Sequence, residues 1–298
     1  MNNVSTARQS RFAGFAFSVL FLSLNSLFFL PMAVQGESRA ESRAMQSKVL
    51  GKRVRYSVLL PASYDQQKTR RYPILYYLHG LGDNEQTLLN WGGWTLVSDL
   101  QEKGELVEFL IVTPEGGRSF YVNSHDGRER YEDFFIQEFI PAIEKRYRTL
   151  GTRAGRGISG VSMGGYGALR FAFKYPKLFA AVSVNMPALA EDLPEGLRSS
   201  FGLSAFGRPF DAQYWKRLSP FSEAREANRA SLPKIYFDCG RQDDFGFDVG
   251  AQEFHSLLTK LGVRHEYHLY PGNHSAEYVM AHLEQSLRFQ SQSFGAAK

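Results

Sequence analysis

The chain has 298 residues, of which 43% are hydrophobic and 22% charged, and its formal net charge at pH 7 is +5. That charge falls to +3 without residues 1–36, which contain two arginines and no acidic residue. So mild a balance argues against nucleic acid or an anionic membrane surface as a partner. Cys239 is the single cysteine, so no intramolecular disulfide can form, and no Cys/His spacing indicates a metal site.

The first 36 residues are typical of a targeting segment. Arg8 and Arg11 precede a largely apolar run over residues 12–34, and Val34-Gln35-Gly36 offers a cleavage site. We therefore expect a signal peptide over 1–36, a secreted or periplasmic protein, and no stable membrane anchor after cleavage. A retained anchor is the alternative, because the apolar run is long enough to span a bilayer. Polar residues within the run favour cleavage.

Short apolar runs alternate with helical patterns in the rest of the chain. Residues 37–46 are polar and are predicted to be a loose leader, and 47–298 a single domain. Strands are predicted over 54–60, 72–78, 109–113, 179–184, 234–239 and 265–270. Helices are predicted over 134–147 with a bend or restart at Pro141, directly after Ser162, and over 212–218, 249–261 and 276–289. Alternation of this kind implies an α/β fold, a mainly parallel central sheet with helices on both faces.

Residues 160–164 carry the most informative motif. Gly160-Val161-Ser162-Met163-Gly164 matches G-x-S-x-G, in which a strand turns sharply into a helix with serine at the strained tip. The two glycines allow strand and helix to approach closely. The hydroxyl of Ser162 is then displayed as a nucleophile, and the backbone N–H of Met163 can help to hold an oxyanion.

A serine nucleophile on this fold requires an acid and then a histidine later in the chain. Five histidines lie beyond residue 250, and His274 is the one in a loop directly after a predicted strand. The preceding strand ends in Asp238-Cys239-Gly240-Arg241-Gln242-Asp243-Asp244. Asp243 is preferred as the acid, with Asp244 and then Asp238 as alternatives.

The loop after the predicted strand 72–78 supplies a second candidate oxyanion donor. Glycines flank Leu81 in Gly80-Leu81-Gly82, so its backbone N–H can approach a substrate closely. His79 is interpreted as a support for this loop. His265 and His268 point to opposite faces of a strand and therefore do not form a metal site. We expect no metal and no cofactor.

These residues resemble the esterase D-like group of α/β-hydrolases, which includes S-formylglutathione hydrolases, feruloyl and acetylxylan esterases, and bacterial mycolyltransferases. The resemblance covers about residues 47–289. It rests on six segments: residues 55–61, 72–80, 130–134, 160–167, 238–243 and 271–274. It implies a triad of Ser162, Asp243 and His274 and an oxyanion hole from Leu81 and Met163. Asn273 departs from the family pattern, where a second glycine is frequent.

The resemblance implies a serine esterase that acts through an acyl-enzyme. Export argues against glutathione thioesters, which are largely cytosolic, and favours esters on polysaccharide or cell-envelope glycan. Aromatic residues in loops predicted to border the site agree with this: Trp91, Trp94, Phe120 and Tyr121. They would equally suit a core. The alternatives are an acyltransferase of mycolyltransferase type and a non-catalytic protein that binds a glycan or lipid.

Overall fold

The computed structural model describes residues 36–295. Within these residues the chain forms one eight-stranded sheet in the order β1-β2-β4-β3-β5-β6-β7-β8. The strands are β1 (Arg39–Gln46), β2 (Arg53–Leu60), β3 (Ile74–Leu78), β4 (Leu110–Pro114), β5 (Arg156–Val161), β6 (Ala181–Asn185), β7 (Lys234–Gly240) and β8 (Glu266–Tyr270). β1 and β2 pair antiparallel with their neighbours, and β3 to β8 pair in parallel. The mainly parallel sheet is confirmed.

Helices follow most of the strands. They are α1 (Thr87–Asn90), α2 (Gly93–Glu102), α3 (Tyr131–Asp133), α4 (Ile140–Arg146), α5 (Met163–Lys174), α6 (Glu195–Phe201), α7 (Ala212–Arg217), α8 (Pro220–Glu226), α9 (Phe247–Lys260) and α10 (Ala276–Gly295). α5 packs with α8, and α8 with α9, whereas α10 packs with α2 and against β6 and β7. These two groups cover the two faces of the sheet, as predicted. β3, β4, β5 and β6 are buried along their whole length between them.

The prediction that residues 37–46 are a loose leader is wrong. Arg39–Gln46 is an edge strand that pairs antiparallel with β2, from Arg39 opposite Leu60 to Gln46 opposite Arg53. Its polar side chains show no strand pattern in the sequence, because an edge strand is held by main-chain hydrogen bonds and can leave both faces in water. Arg39 adds an ion pair to Asp65 at 2.7 Å.

The predicted helix over 134–147 is divided, as Pro141 suggested. A π-helical segment, Phe134–Phe139, follows α3, and α4 restarts at Ile140 with Pro141 in its first turn. Proline fits there because its missing N–H needs no partner in the first turn of a helix. The sequence did not predict α1, α2, α6 or α8, which have few turns or lie among irregular segments.

Candidate active site

Strand β5 passes into helix α5 through a strained turn at Ser162, whose φ is 54° and ψ −115°. Such a conformation is rare for a residue with a side chain. A Cβ on Gly164 would lie 2.0 Å from the carbonyl oxygen of Leu78, and one on Gly160 would lie 2.6 Å from the carbonyl of Gly164. Strand and helix therefore cross too closely for a side chain at either glycine, which explains the motif.

Three side chains from separate segments form a hydrogen-bonded row at the carboxyl edge of the sheet. The Oγ of Ser162 lies 3.0 Å from Nε2 of His274, and Nδ1 of His274 lies 2.7 Å from Oδ2 of Asp243. An ionised carboxylate can only accept, so Nδ1 carries a proton and Nε2 of the neutral imidazole accepts from the serine. The carboxylate of Asp243 has no exposed surface, and the His274 side chain is 11% exposed.

His274 lies in the loop between β8 and α10, residues 271–275, which we call the histidine loop. The neighbouring carboxylates of Asp243 and Asp244 accept hydrogen bonds from different parts of His274. Oδ1 of Asp243 accepts from the backbone N–H groups of Phe245 at 3.0 Å and Phe247 at 3.3 Å, while Oδ2 faces the imidazole. Asp244 accepts from the backbone N–H of His274 at 3.1 Å. Burial alone would raise the pKa of Asp243. The hydrogen bond and charge of His274 and the two backbone N–H groups outweigh burial, so the pKa lies below its ordinary value.

Asp238, the remaining acid candidate, forms its hydrogen bonds with side chains other than the imidazole of His274. Its carboxylate is fully buried and accepts from Tyr278 and Tyr236, each at 2.9 Å, and from the amide of Asn185 at 2.8 Å. Burial raises the pKa of Asp238 to about 7, although these three hydrogen bonds lower it. The main chain of Asn185 accepts from the N–H of Ser162 at 3.2 Å, so this buried group adjoins the serine turn.

The loop that contains Leu81 lies beside the serine, since a Cβ on Gly80 would be 3.7 Å from Cβ of Ser162. His79 supports this loop: its Nδ1 donates to the Gly80 carbonyl and its Nε2 accepts from the N–H of Gly116, each at 2.8 Å. Among the hydrogen bonds of residues 36–295, neither the N–H of Leu81 nor that of Met163 has an acceptor. Met163 is the first residue of α5, where a helix leaves its N–H groups without internal partners.

The prediction that Phe120 and Tyr121 line the substrate is wrong, because both are buried, at 2% and 0% exposure. Both residues have positive φ values, 52° and 58°, which are uncommon for residues with a side chain. The ring of Tyr121 occupies the space above Gly167, where a Cβ would be 2.7 Å from it. Trp94 is also buried, in α2. Trp91 is partly exposed and packs on the core, and its place in the substrate site stays a prediction.

Two aromatic side chains contact His274 that were not predicted from the sequence. The ring of Phe245 lies 4.9 Å from that of His274, edge to face, and the ring of Phe247 lies 5.6 Å from it. Phe201 continues this group, with its ring 5.1 Å from Phe245. The available signal was the position of Phe245 and Phe247, two and four residues after the acid.

His265, directly before β8, and His268, within it, have different partners. Nε2 of His265 lies 2.7 Å from Nδ1 of His255, whereas His268 stacks on Tyr270. Across residues 36–295, no group of three or more His, Cys, Asp or Glu side chains is placed to hold a metal ion. In the same stretch of chain, no helix has the length and apolar character needed to cross a membrane.

A mainly parallel sheet, a serine on the strained turn after β5, and an acid and a histidine after the last two strands define an α/β-hydrolase. Residues 47–289 match the family model described as "Putative esterase", so the chain belongs to this esterase family. The family resemblance inferred from the sequence is thereby confirmed.

Individual relatives agree with this family. Two esterases from strains of Mycobacterium tuberculosis are 29% identical over 94% of this chain, which spans 66% of their length. An acetyl esterase of Caldicellulosiruptor saccharolyticus is 25% identical, over 82% of this chain and 95% of its own. A solved structure of a ferulic acid esterase is 31% identical with a TM-score of 0.76, and the match covers 87% of this chain and 99% of that one.

Proposed function

We propose that this protein hydrolyses carboxylic esters through an acyl-enzyme on Ser162. The observation that carries the proposal is the row from Ser162 through His274 to Asp243, with contacts of 3.0 and 2.7 Å. Ser162 Oγ attacks the ester carbonyl carbon while Nε2 of His274 takes its proton. The imidazolium then gives that proton to the alcohol oxygen as the C–O bond breaks, and water repeats both steps on the acyl-serine.

In this proposal the N–H groups of Leu81 and Met163 stabilise the negative charge on the ester oxygen. Support comes from their hydrogen-bonding potential, which no acceptor within residues 36–295 uses, and from the contact of the Gly80 loop with the serine turn. Asp243 keeps the proton on Nδ1 of His274 and stabilises the imidazolium. A single oxyanion donor contributes on the order of 10²–10³ in turnover in comparable enzymes.

The substrates proposed are acyl groups on carbohydrate or cell-envelope glycan, and the protein is proposed to act after export. The relatives include an acetyl esterase and a ferulic acid esterase, which supports acyl groups such as acetyl and feruloyl.

The signal-peptide prediction concerns residues 1–36, of which 1–35 lie outside the described residues. Cleavage after Gly36 would leave β1 intact, because that strand begins at Arg39. The N-terminal sequence of the protein recovered from outside the cytoplasm tests this part.

The catalytic proposal is tested with the chain from residue 37 onward and a panel of acetyl, butyryl, feruloyl and long-chain esters. Ser162→Ala should lose on the order of 10⁴-fold or more in turnover, since nucleophile and base act as a unit. Ser256→Ala, which changes an exposed serine on α9, is the matched control. Mass spectrometry should find a fluorophosphonate adduct on Ser162. Wild-type turnover by Ser162→Ala would refute the mechanism, and added sugar acceptors reveal transfer in place of hydrolysis.

A further inference from the structure

We propose that a basic cleft, connected to His274 through Phe245, Phe201 and Arg118, binds the alcohol part of the substrate, and that this alcohol is a sugar that carries an anionic group. This inference rests on the proposed function, because it concerns the leaving group of the same reaction. Nε2 of His274 must reach the oxygen of the departing alcohol. Partly exposed side chains next to His274 are therefore the ones placed to contact the alcohol.

Two aromatic rings lie in sequence beside the imidazole of His274. Phe245 lies against the imidazole with ring centroids 4.9 Å apart, and Phe201 lies 5.1 Å further on. Both are partly exposed. An aromatic face carries partial negative charge and suits the weakly positive C–H face of a sugar ring. The first sugar can thus stack here while its ester oxygen stays at the histidine.

Arg118 connects these rings to the cleft. Its guanidinium donates to the main-chain carbonyl oxygen of Phe201, the last residue of α6. Arg118 also lines a cleft of about 510 Å³ between the segment that follows β4 and the segment that follows α6. The other basic side chains of this lining are His125, Arg128 and Arg208. We refer to it as the basic cleft.

The charges of the basic cleft are not balanced. Its two carboxylates are already paired with basic side chains, Asp126 with Arg128 at 3.7 Å and Glu129 with Lys52 at 2.6 Å. Arg118 and Arg208 are exposed and form no ion pair with a carboxylate of residues 36–295. Two such guanidinium groups in one concavity match the planar, bidentate geometry of a carboxylate or phosphate. An anionic substituent a sugar or more away from the ester fits this position.

Carboxylate and phosphate share this chemistry, so the test includes both. The substrates are acetylated oligogalacturonide, an acetylated glycerol-phosphate oligomer, and acetylated xylo-oligosaccharide of equal length as the neutral reference. At low ionic strength, kcat/KM for one anionic substrate should exceed that for the neutral one by about tenfold, and 0.5 M salt should remove most of this ratio. The preferred substrate identifies the anion.

Variants of Arg118 and Arg208 test whether the preference for the anionic substrate arises in the basic cleft. Arg118→Gln and Arg208→Gln should each lower the anionic-to-neutral ratio by about threefold, the size expected of an exposed ion pair. The double variant should bring the ratio close to one. Arg229→Gln is the matched control, because Arg229 is an exposed arginine that lines a different cleft, at the amino ends of β7 and β8. It should leave the ratio at the wild-type value.

The possible failures are distinct. Absence of any ester turnover, or turnover that survives Ser162→Ala, refutes the proposed function. Turnover that depends on Ser162 but shows no anionic preference, or a preference that the two arginine variants leave intact, refutes only the basic cleft. Inhibition of neutral-substrate turnover by single-stranded RNA as strong as that by oligogalacturonide would indicate general polyanion attraction and would also overturn the assignment.

Discussion

The phenol of Tyr278 donates a 2.9 Å hydrogen bond to Oδ1 of Asp238, a carboxylate with no accessible surface. Tyr278 lies in the first turn of α10, and its ring packs on Gly272, where a Cβ would be 2.6 Å away. Gly272 also exchanges two hydrogen bonds with Gln242, at 2.8 and 2.9 Å. The histidine loop is therefore held between α10 and the segment after β7 that contains Gln242 and Asp243.

Tyr278→Phe should lower kcat by about tenfold with little change in KM, because the histidine loop loses one support while the substrate contacts remain. Tyr236→Phe is the matched control: it removes another 2.9 Å hydrogen bond to the same carboxylate, away from the histidine loop. Both variants should lose about 1–2 kcal/mol of unfolding free energy. Equal effects of the two on kcat would show that the bond acts through stability alone.

Asp238 should make the unfolding free energy depend on pH. Its pKa is about 7 in the folded state, against about 3.9 in an unfolded chain. Between these values the folded state holds a proton that the unfolded chain releases, so the contribution of Asp238 to stability is fully present below pH 4 and falls as the pH rises to 7. The loss is about 4 kcal/mol at most, at about 1.4 kcal/mol per pKa unit.

Denaturant unfolding of wild type and Asp238→Asn from pH 4 to 8 measures this contribution. Asparagine does not titrate, so the difference between the two proteins should change over this range. The other titratable groups near the carboxylate include the phenols of Tyr236 and Tyr278 and the imidazoles of His268 and His282, which contact those phenols. The phenol of Tyr77 and the thiol of Cys239 also interact with its charge. They are present in both proteins and largely cancel. Parallel curves would contradict the prediction.

Asp243→Asn should cost about 10⁴ in kcat near neutral pH, because an amide favours the wrong tautomer of His274. Asp244→Asn should cost less than about tenfold, since Asp244 binds only the main-chain N–H of His274. Steady-state kinetics on one ester compare the two directly. If Asp244→Asn were the crippled variant, the acid would be assigned one residue too early.

Gly164→Ala should destabilise the fold and abolish turnover, because its Cβ would lie 2.0 Å from the Leu78 carbonyl oxygen. Forcing extra atoms into a packed interior costs about 1–3 kcal/mol, and here the obstacle is main chain. Gly295→Ala, near the end of α10, meets nothing within 4 Å and serves as the control. Thermal unfolding and ester turnover measure both effects. A Gly164→Ala variant as stable and active as wild type would contradict the close crossing.

The site residues could be predicted from the sequence because their positions follow from local rules. The glycines of residues 160–164 require a close crossing of strand and helix. Among the five later histidines, His274 is the one in a loop directly after a predicted strand. The structure brings Ser162, Asp243 and His274 together, and their catalytic roles stay a proposal. The sequence and the family resemblance already favour Asp243 over Asp244. The structure adds the contacts of each carboxylate, Asp243 with the imidazole of His274 and Asp244 with its backbone N–H.

By itself the sequence determined the α/β architecture, the strained serine turn and the candidate row, since hydrophobic periodicity and glycine positions are local properties of the chain. Only the tertiary structure decided that Arg39–Gln46 is an edge strand, that Phe120 and Tyr121 are buried, and that Phe245 lies against His274. Each of these depends on which distant segment a side chain meets. Composition and periodicity indicate which side chains of one element are buried, but they do not indicate which distant segment buries them.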